Sequence, residues 1–341
     1  MTPAEEHPSA VLPAMATRNH VLAQVEALIG SELSDVEEIF KEELRSDRRG
    51  TKDVLAHVTR FRGKRLRPVL LLLTAEACGG IRHSHKVLAA VVEMIHMATL
   101  VHDDVLDDAD TRRHVATVNA RWNNETSVLF GDYLFTHAFH LASSLETTLA
   151  CRVIGRATNA VCEGELSRVH ERGNLRVTGE EYLDILTGQT AELCAVSCFL
   201  GAHYAGVDEN VVRAMEKYGR MLGVAFQICD DLLDLTGDEL ETGKSLGSDL
   251  AKQKLTLPLI RLLDQSSEED AARLRGLLSE TNVDARRELK SRLRQSDALD
   301  YAFEFAARYV EEARQCLLAT PDSPARQLLD AIAEFSLRRS F

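Results

Sequence analysis

From about residue 18 to residue 338 the apolar side chains return at helical spacing. The breaks between successive runs are short: "CGGIRHS", "ERGNLRVTG", "TGDELETG" and "TPDS". Apolar residues three and four apart share one face of a helix, so each run has one stripe to bury. No stretch of useful length alternates as a half-buried strand does, no fixed-period repeat is visible, and no Gly/Pro/Ser linker divides the chain. Short breaks set successive helices antiparallel. The expectation is an all-α protein, a single large antiparallel helical bundle over residues 18–341 preceded by a flexible N-terminus over 1–17. Helices are predicted over 18–48, 64–78, 85–108, 123–149, 150–169, 179–205, 208–237, 249–263, 267–279, 284–294, 297–318 and 323–338. Only 19 glycines, 7 prolines and 5% aromatic residues favour Ala/Leu-rich helices over a β-sandwich or barrel.

Against this pattern one segment stands out, "HMATLVHDDVLDDADTRRH" at 96–114. Asp103 and Asp107 are four apart and lie on one helix face, with Asp104 offset by about a third of a turn. Carboxylates near a helix C-terminus oppose the helix dipole, and five of them between 103 and 110 call for a cation. The arrangement recurs as D-D-x-x-D at Asp230, Asp231 and Asp234, behind another apolar run. Two such helices facing each other make a carboxylate-walled cleft suited to a hard octahedral cation such as Mg²⁺. Because Mg²⁺ binds poorly to carboxylates alone, substrate phosphates would complete its shell. Basic residues accompany both clusters: Lys64, Arg65 and Arg67 in "GKRLRP", Arg112 and Arg113 after the first, and Lys244 and Lys254 after the second. Guanidinium forks and ammonium groups beside a metal suit a diphosphate.

Several chemistries are disfavoured. With 40 Lys plus Arg against 53 Asp plus Glu, the net charge of -13 argues against nonspecific nucleic-acid binding. No G-x-x-x-x-G-K-S/T loop is present for a nucleotide. A di-iron bundle needs two Glu-x-x-His motifs, and only Glu93–His96 fits. A His-Asp metal phosphohydrolase could use His102 and Asp103 but has no need of a second aspartate cluster. A class I terpene cyclase also ionises a metal-bound diphosphate, but it does not need the additional "GKRLRP" basic pocket. Seven cysteines, mostly inside helical patterns, read as free thiols in a reducing compartment; Cys194 and Cys198 lack partners for a zinc site. Glu5 and Glu6 stand where a secretory signal would be basic, and Glu93 and His96 interrupt the most apolar run. A cytoplasmic protein without a membrane span is expected.

From about Arg62 to Ile260 the chain resembles the trans-isoprenyl diphosphate synthases of the polyprenyl synthetase family. The likeness rests on "GKRLRP", "HDDVLDDADTRR", "GDYL", "CEGEL", "GQTAEL", "FQICDDLLD" and "GKSLGSDLAKQKLTLP". It implies an isoprenoid-synthase-type bundle around a central catalytic cavity, usually homodimeric. It further implies condensation of isopentenyl diphosphate with an allylic diphosphate primer, dependent on Mg²⁺ at three ions per active site with diphosphate bound. By position, Asp103, Asp104, Asp107, Asp230 and Asp231 match metal ligands, with Asp234 acting partly through water. Lys64, Arg67, His96 and Arg113 match the isopentenyl diphosphate pocket, and Arg112, Lys244 and Lys254 match the allylic diphosphate clamp; Thr190 and Gln227 match polar groups beside the growing chain.

Three positions depart from the family pattern. Gln189 stands where a lysine is usual, His114 where a glycine follows the paired arginines, and Gln253 where a glycine precedes the lysine. Gln189 can donate a hydrogen bond but supplies no charge to the allylic site. A non-catalytic partner subunit is the alternative these departures raise. Short-chain members carry a bulky aromatic floor upstream of the first aspartate; here Ala98 and Thr99 are small, with Ile95 beyond them. The expected product therefore exceeds fifteen carbons, with a chain of thirty-five to fifty, as from an octaprenyl diphosphate synthase, preferred over one of twenty or twenty-five. Such a product would bring the enzyme near membranes.

Overall fold

A computed structural model describes residues 11–61, 65–112, 114–236, 248–280 and 282–338. The described residues are overwhelmingly helical, as the sequence predicts. Helix α1 (Val11–Glu43) kinks at Ile29 and begins inside the segment expected to be flexible. α2 (Arg49–Val58) occupies a stretch for which no helix was predicted. There follow α3 (Leu66–Ala77), α4 (His83–Leu106), the short α5 (Val118–Arg121), α6 (Asn124–Ser143), α7 (Leu149–His170), α8 (Gly179–Leu186), α9 (Glu192–Ala205) and α10 (Glu209–Thr236). The C-terminal part holds the single turn α11 (Ser248–Ala251), then α12 (Leu257–Asp264), α13 (Glu268–Ser279), α14 (Val283–Gln295), α15 (Ala298–Cys316) and α16 (Pro324–Arg338). One two-stranded antiparallel hairpin, β1 (Thr111–Arg112) with β2 (Val115–Ala116), is too short to leave an alternating signature.

Helix starts follow local chemistry. Asn123, Ser267 and Asn282 accept hydrogen bonds from the first turns of α6, α13 and α14. Thr178 and Glu181 form a reciprocal capping box on α8. α10 is the organising element, packed on α9 and α15, while α4 packs on α6 and α3 on α9. The N-terminal two-thirds of α10 joins one apolar cluster with α1, α3, α4, α6, α7, α9 and α16. Its last turns join a second cluster with α8 and α12–α15. Contact across the bundle is close at Gly223 of α10. A Cβ there would lie 2.6 Å from Ala191 Cα, so only glycine lets α10 approach the segment before α9.

Glu93 and His96 do not keep the α4 stretch from passing as a membrane span. By length and hydropathy alone, His83–Leu106 and Gly179–Ala205 both would. In each, 61% of the apolar window is buried inside the bundle, which accounts for the hydropathy by core packing. All seven cysteines are free thiols.

Candidate active site

The first aspartate cluster sits where α4 ends. Asp107 leaves the helix while its N–H still donates to the Asp103 carbonyl at 2.8 Å, and Asp108 turns the chain at φ 48°. The hairpin that follows folds Arg112 back over α4. Its Nε donates to Asp104 Oδ1 at 2.9 Å and Oδ2 at 3.1 Å, and its Nη2 to Oδ1 at 2.8 Å. Asp104 is only 2% exposed. Burial raises its pKa despite those bonds. Asp107 is held by Arg168 Nη1 at 3.0 Å and Lys252 Nζ at 3.1 Å. Burial pushes Asp107 up, but these two cations outweigh it and hold the carboxyl below the usual range.

The second cluster lies on the last turns of α10. Asp231, also 2% exposed, accepts from Tyr182 Oη at 2.7 Å, Gln227 Nε2 at 3.0 Å and Lys254 Nζ at 3.0 Å. Lys254 also donates to Asp249 Oδ2 at 3.3 Å, and the Asp249 N–H donates to Asp234 Oδ2 at 3.0 Å. Burial alone would lower the Lys254 ammonium, but Asp231 and Asp249 hold it above the usual lysine range. The two clusters thus share a plan. In each, the second aspartate is buried and neutralised by a cation from the following segment; Asp103 and Asp230 line the cavity between the helices, Asp231 reaches it as well, and Asp104 does not.

That cavity has a volume of about 1060 Å³. Asp103, Asp107, Asp230 and Asp231 line it, with Arg67, His96, Gln189, Thr190, Gln227 and Lys254. Among the described residues Arg67 Nε is buried with no hydrogen-bond partner, as expected of a group built to meet an anion. Thr190 donates to Gln227 at 3.1 Å. Both Gln189 and Thr190 reach the cavity from a π-helical turn, Thr187–Ala191, between α8 and α9. A Cβ on Gly188 in that turn would lie 2.9 Å from the Ala160 carbonyl, so glycine is what lets the turn sit against α7. Lys64, Arg113 and Lys244, which the sequence reading assigns to the two diphosphates, lie outside the described residues.

The α4 wall corrects one expectation. It is made by Glu93, His96, Met97, Thr99, Leu100, Asp103 and Leu106, whereas Ala98 and Ile95 are fully buried and do not line the cavity. At about 100° per residue, Ala98 points about 140° away from Asp103 and Thr99 only about 40°. His114 and Gln253, where the resemblance expects glycine, both adopt left-handed backbone, at φ 63° and 55°. These are turns that glycine makes without strain.

The donor set fits a divalent cation. Asp103 is pushed up to about 7, first by burial and then by the charge of Glu165, against the pull of Arg168 and Arg112. Carboxylates crowded to that degree gain from a hard cation. Among the described residues no three ligating side chains already converge. Mg²⁺ is ordinarily held by one or two carboxylates plus water and substrate phosphate rather than by a protein cage. Glu165, Arg168, Tyr182, Asp249 and Lys252 were not picked out by sequence. "CEGEL" contains Glu165, but the spacing of Arg168 and Lys252 from the aspartates carries no periodic signal.

A helical bundle enclosing a cavity with paired aspartates, arginines and apolar walls defines the class: an all-α isoprenoid-synthase fold. Residues 49–295 match the family model described as Polyprenyl synthetase, and the chain belongs to that family. Membership puts it among enzymes that transfer prenyl groups. It is 34% identical over 315 residues to heptaprenyl diphosphate synthase component 2 of Geobacillus stearothermophilus, covering 92% of this chain and 98% of the relative. Its structure is similar to a decaprenyl diphosphate synthase from Rhodobacter capsulatus (TM-score 0.89, 33% identity, 94% of this chain and 99% of that one). It is also similar to a polyprenyl synthase from Caulobacter crescentus CB15 complexed with calcium and isoprenyl diphosphate (TM-score 0.87, 32% identity, 93% and 97%).

Proposed function

We propose that the protein is a Mg²⁺-dependent prenyltransferase that condenses isopentenyl diphosphate with an allylic diphosphate, giving a trans-polyprenyl diphosphate and diphosphate. The observation that carries this is the pairing of two D-D-x-x-D helix ends across one cavity that also holds Arg67, His96 and Lys254. Asp103, Asp107 and Asp230, with Asp234, would hold the metal, and Asp104 and Asp231 would fix the geometry of their neighbours through Arg112 and Lys254. The bound cation supplies Lewis-acid stabilisation of the leaving diphosphate. The calcium bound with isoprenyl diphosphate in the Caulobacter structure supports a divalent ion in this role.

The chain's own residues do the rest. Lys254 sits next to Asp231 and stays protonated, adding positive charge where diphosphate charge develops. Arg67 and His96, on α3 and α4, orient isopentenyl diphosphate with its alkene toward the allylic carbon. Thr190 and Gln227 position the allylic chain through their hydrogen bond. Met97, Leu100 and Leu106 present apolar surface that keeps water from the cation formed when the C–O bond breaks. The new C–C bond forms at the alkene, and proton loss to the departing diphosphate completes the turn. No side-chain base is required.

The long-chain reading now rests on the absence of an aromatic floor at Thr99 and on the heptaprenyl and decaprenyl relatives. A homodimer is supported by apolar residues exposed on α6 and α7, Leu129 at 69% and Leu166 at 70%. The single-domain and cytoplasmic readings stand as part of the same proposal.

The test is radiolabelled isopentenyl diphosphate with farnesyl diphosphate and Mg²⁺. Extractable product that disappears with chelator and returns with Mg²⁺ is expected. Product formation unaffected by chelation, or none with any allylic primer, refutes the proposal.

A further inference from the structure

Arg168 is a cavity residue that the reaction as described leaves unused. It lies on α7, its side chain is 20% exposed, and its two bonded groups face the first aspartate cluster. Arg168 Nε donates to Glu165 Oε2 at 2.8 Å, and Nη1 donates to Asp107 Oδ1 at 3.0 Å. The other oxygen of that same Glu165 carboxylate, Oε1, accepts from Gln189 Nε2 at 2.6 Å. Positions 168 and 189 therefore stand over one carboxylate, one from α7 and one from the π-helical turn, and the cation of the pair is carried by 168.

A guanidinium has five N–H donors in a planar fork. The bonds to Glu165 and Asp107 use two of Arg168's. Three remain at the cavity wall, beside the aspartate that is read as a metal ligand. The geometry points to Arg168 as a diphosphate-binding residue of the allylic site, held in place by Glu165 and carrying the charge that Gln189 does not. This rests on the proposed prenyltransferase reading for the identity of the ligand. With Asp107 holding a metal ion, the Nη1 donor would be released to the diphosphate oxygens, while the Nε bond to Glu165 would keep the arginine in register. A planar fork suits two non-bridging phosphate oxygens better than a single ammonium does. Arg172 and Lys252 also approach Asp107, at 3.8 and 3.1 Å. Neither is joined to Glu165 in the structure, so neither shares a carboxylate with position 189.

The experiment moves the charge across that carboxylate. Arg168→Gln and the double variant Arg168→Gln/Gln189→Lys are compared with wild type in two readouts. One is calorimetric binding of inorganic diphosphate with Mg²⁺; the other is KM for farnesyl diphosphate and for isopentenyl diphosphate. Circular dichroism checks folding. Arg168→Gln is expected to weaken diphosphate binding and raise the primer KM about tenfold or more, with the isopentenyl KM nearly unmoved. The double variant should recover most of the loss. Equal changes in both KM values, an unchanged primer KM, or a double variant no better than the single one overturns the assignment. Arg168→Lys serves if the glutamine variant does not fold. A primer-specific KM rise of a few fold supports the assignment, and an unmoved or unselective KM overturns it. If wild type makes no condensation product yet loses diphosphate binding on Arg168→Gln and regains it in the double variant, the reaction fails and the role of Arg168 stands.

Discussion

Replacing Arg112 by leucine isolates what holds the first aspartate helix together. Asp104 is 2% exposed, and among the described residues its carboxylate accepts three hydrogen bonds, all from the Arg112 guanidinium. Taking away one partner of such a pair leaves a buried carboxylate with no directly bonded cation to offset its lost hydration, typically costing about 3–5 kcal/mol. Arg112 is itself a quarter exposed, so solvent screens part of the pair and the lower end, about 3 kcal/mol, is expected. For a chain of this size each kcal/mol moves the melting temperature by roughly 2 °C, so Arg112→Leu should melt about 6 °C lower. Asp104→Asn/Arg112→Leu removes the stranded charge and should recover at least half of the loss. Thermal scanning with circular dichroism at pH 7 measures all three proteins. A single variant that melts like wild type, or a double variant that simply adds two losses, would show that the pair is not what stabilises this helix end.

Other outcomes follow from the same geometry. His85 is fully buried, and burial lowers its pKa from 6.5 to about 4. The unfolded chain therefore binds the proton first, and stability should fall as pH drops from 6.5 toward 4, by about 3 kcal/mol in all. Denaturant titrations of His85→Gln should be visibly flatter between pH 6.5 and 5, and an unchanged slope would remove His85 as the cause. Gly188→Ala forces its Cβ to within 2.9 Å of the Ala160 carbonyl, so it should cost about 1–3 kcal/mol and raise the primer KM; normal stability and kinetics would mean that the π-helical turn moves freely. His114→Gly relieves a left-handed residue and should gain about 1 kcal/mol in a melting scan, whereas a lower melting temperature would contradict strain there. Thr99→Phe fills the cavity wall and should shorten the products seen by chromatography. Ala98→Phe should instead destabilise the α4 core, and the reverse pattern would refute the wall as described.

The fold class was legible in the sequence, and so was a candidate cation site. An apolar stripe recurring at helical spacing has no stable use except burial against other helices, so the all-α bundle was legible, and most helices fall within a few residues of the predicted bounds. Two D-D-x-x-D groups behind apolar runs were legible as a candidate cation site because carboxylates at that density need a counter-charge wherever they are placed. Local chemistry did not reveal α2, whose polar surface leaves only Val54, His57 and Val58 buried, nor the break of the predicted 123–149 helix after Ser143.

How each aspartate pair is presented to the cavity was set by packing, not by spacing. Adjacent helical residues differ by about 100° in direction, and the packing of neighbouring helices, not the spacing, sets which of those directions is inside. Asp104, taken up by Arg112, is withdrawn from the cavity that Asp103 lines, whereas Asp231, held by Lys254, still lines it beside Asp230. The same reason keeps Thr99 on the α4 wall, adds Met97 and leaves Ala98 and Ile95 in the core. It also brings Gln189 and Arg168, 21 positions apart in the chain, onto one glutamate, a contact that no local pattern encodes because α7 and the π-helical turn meet only in the folded bundle.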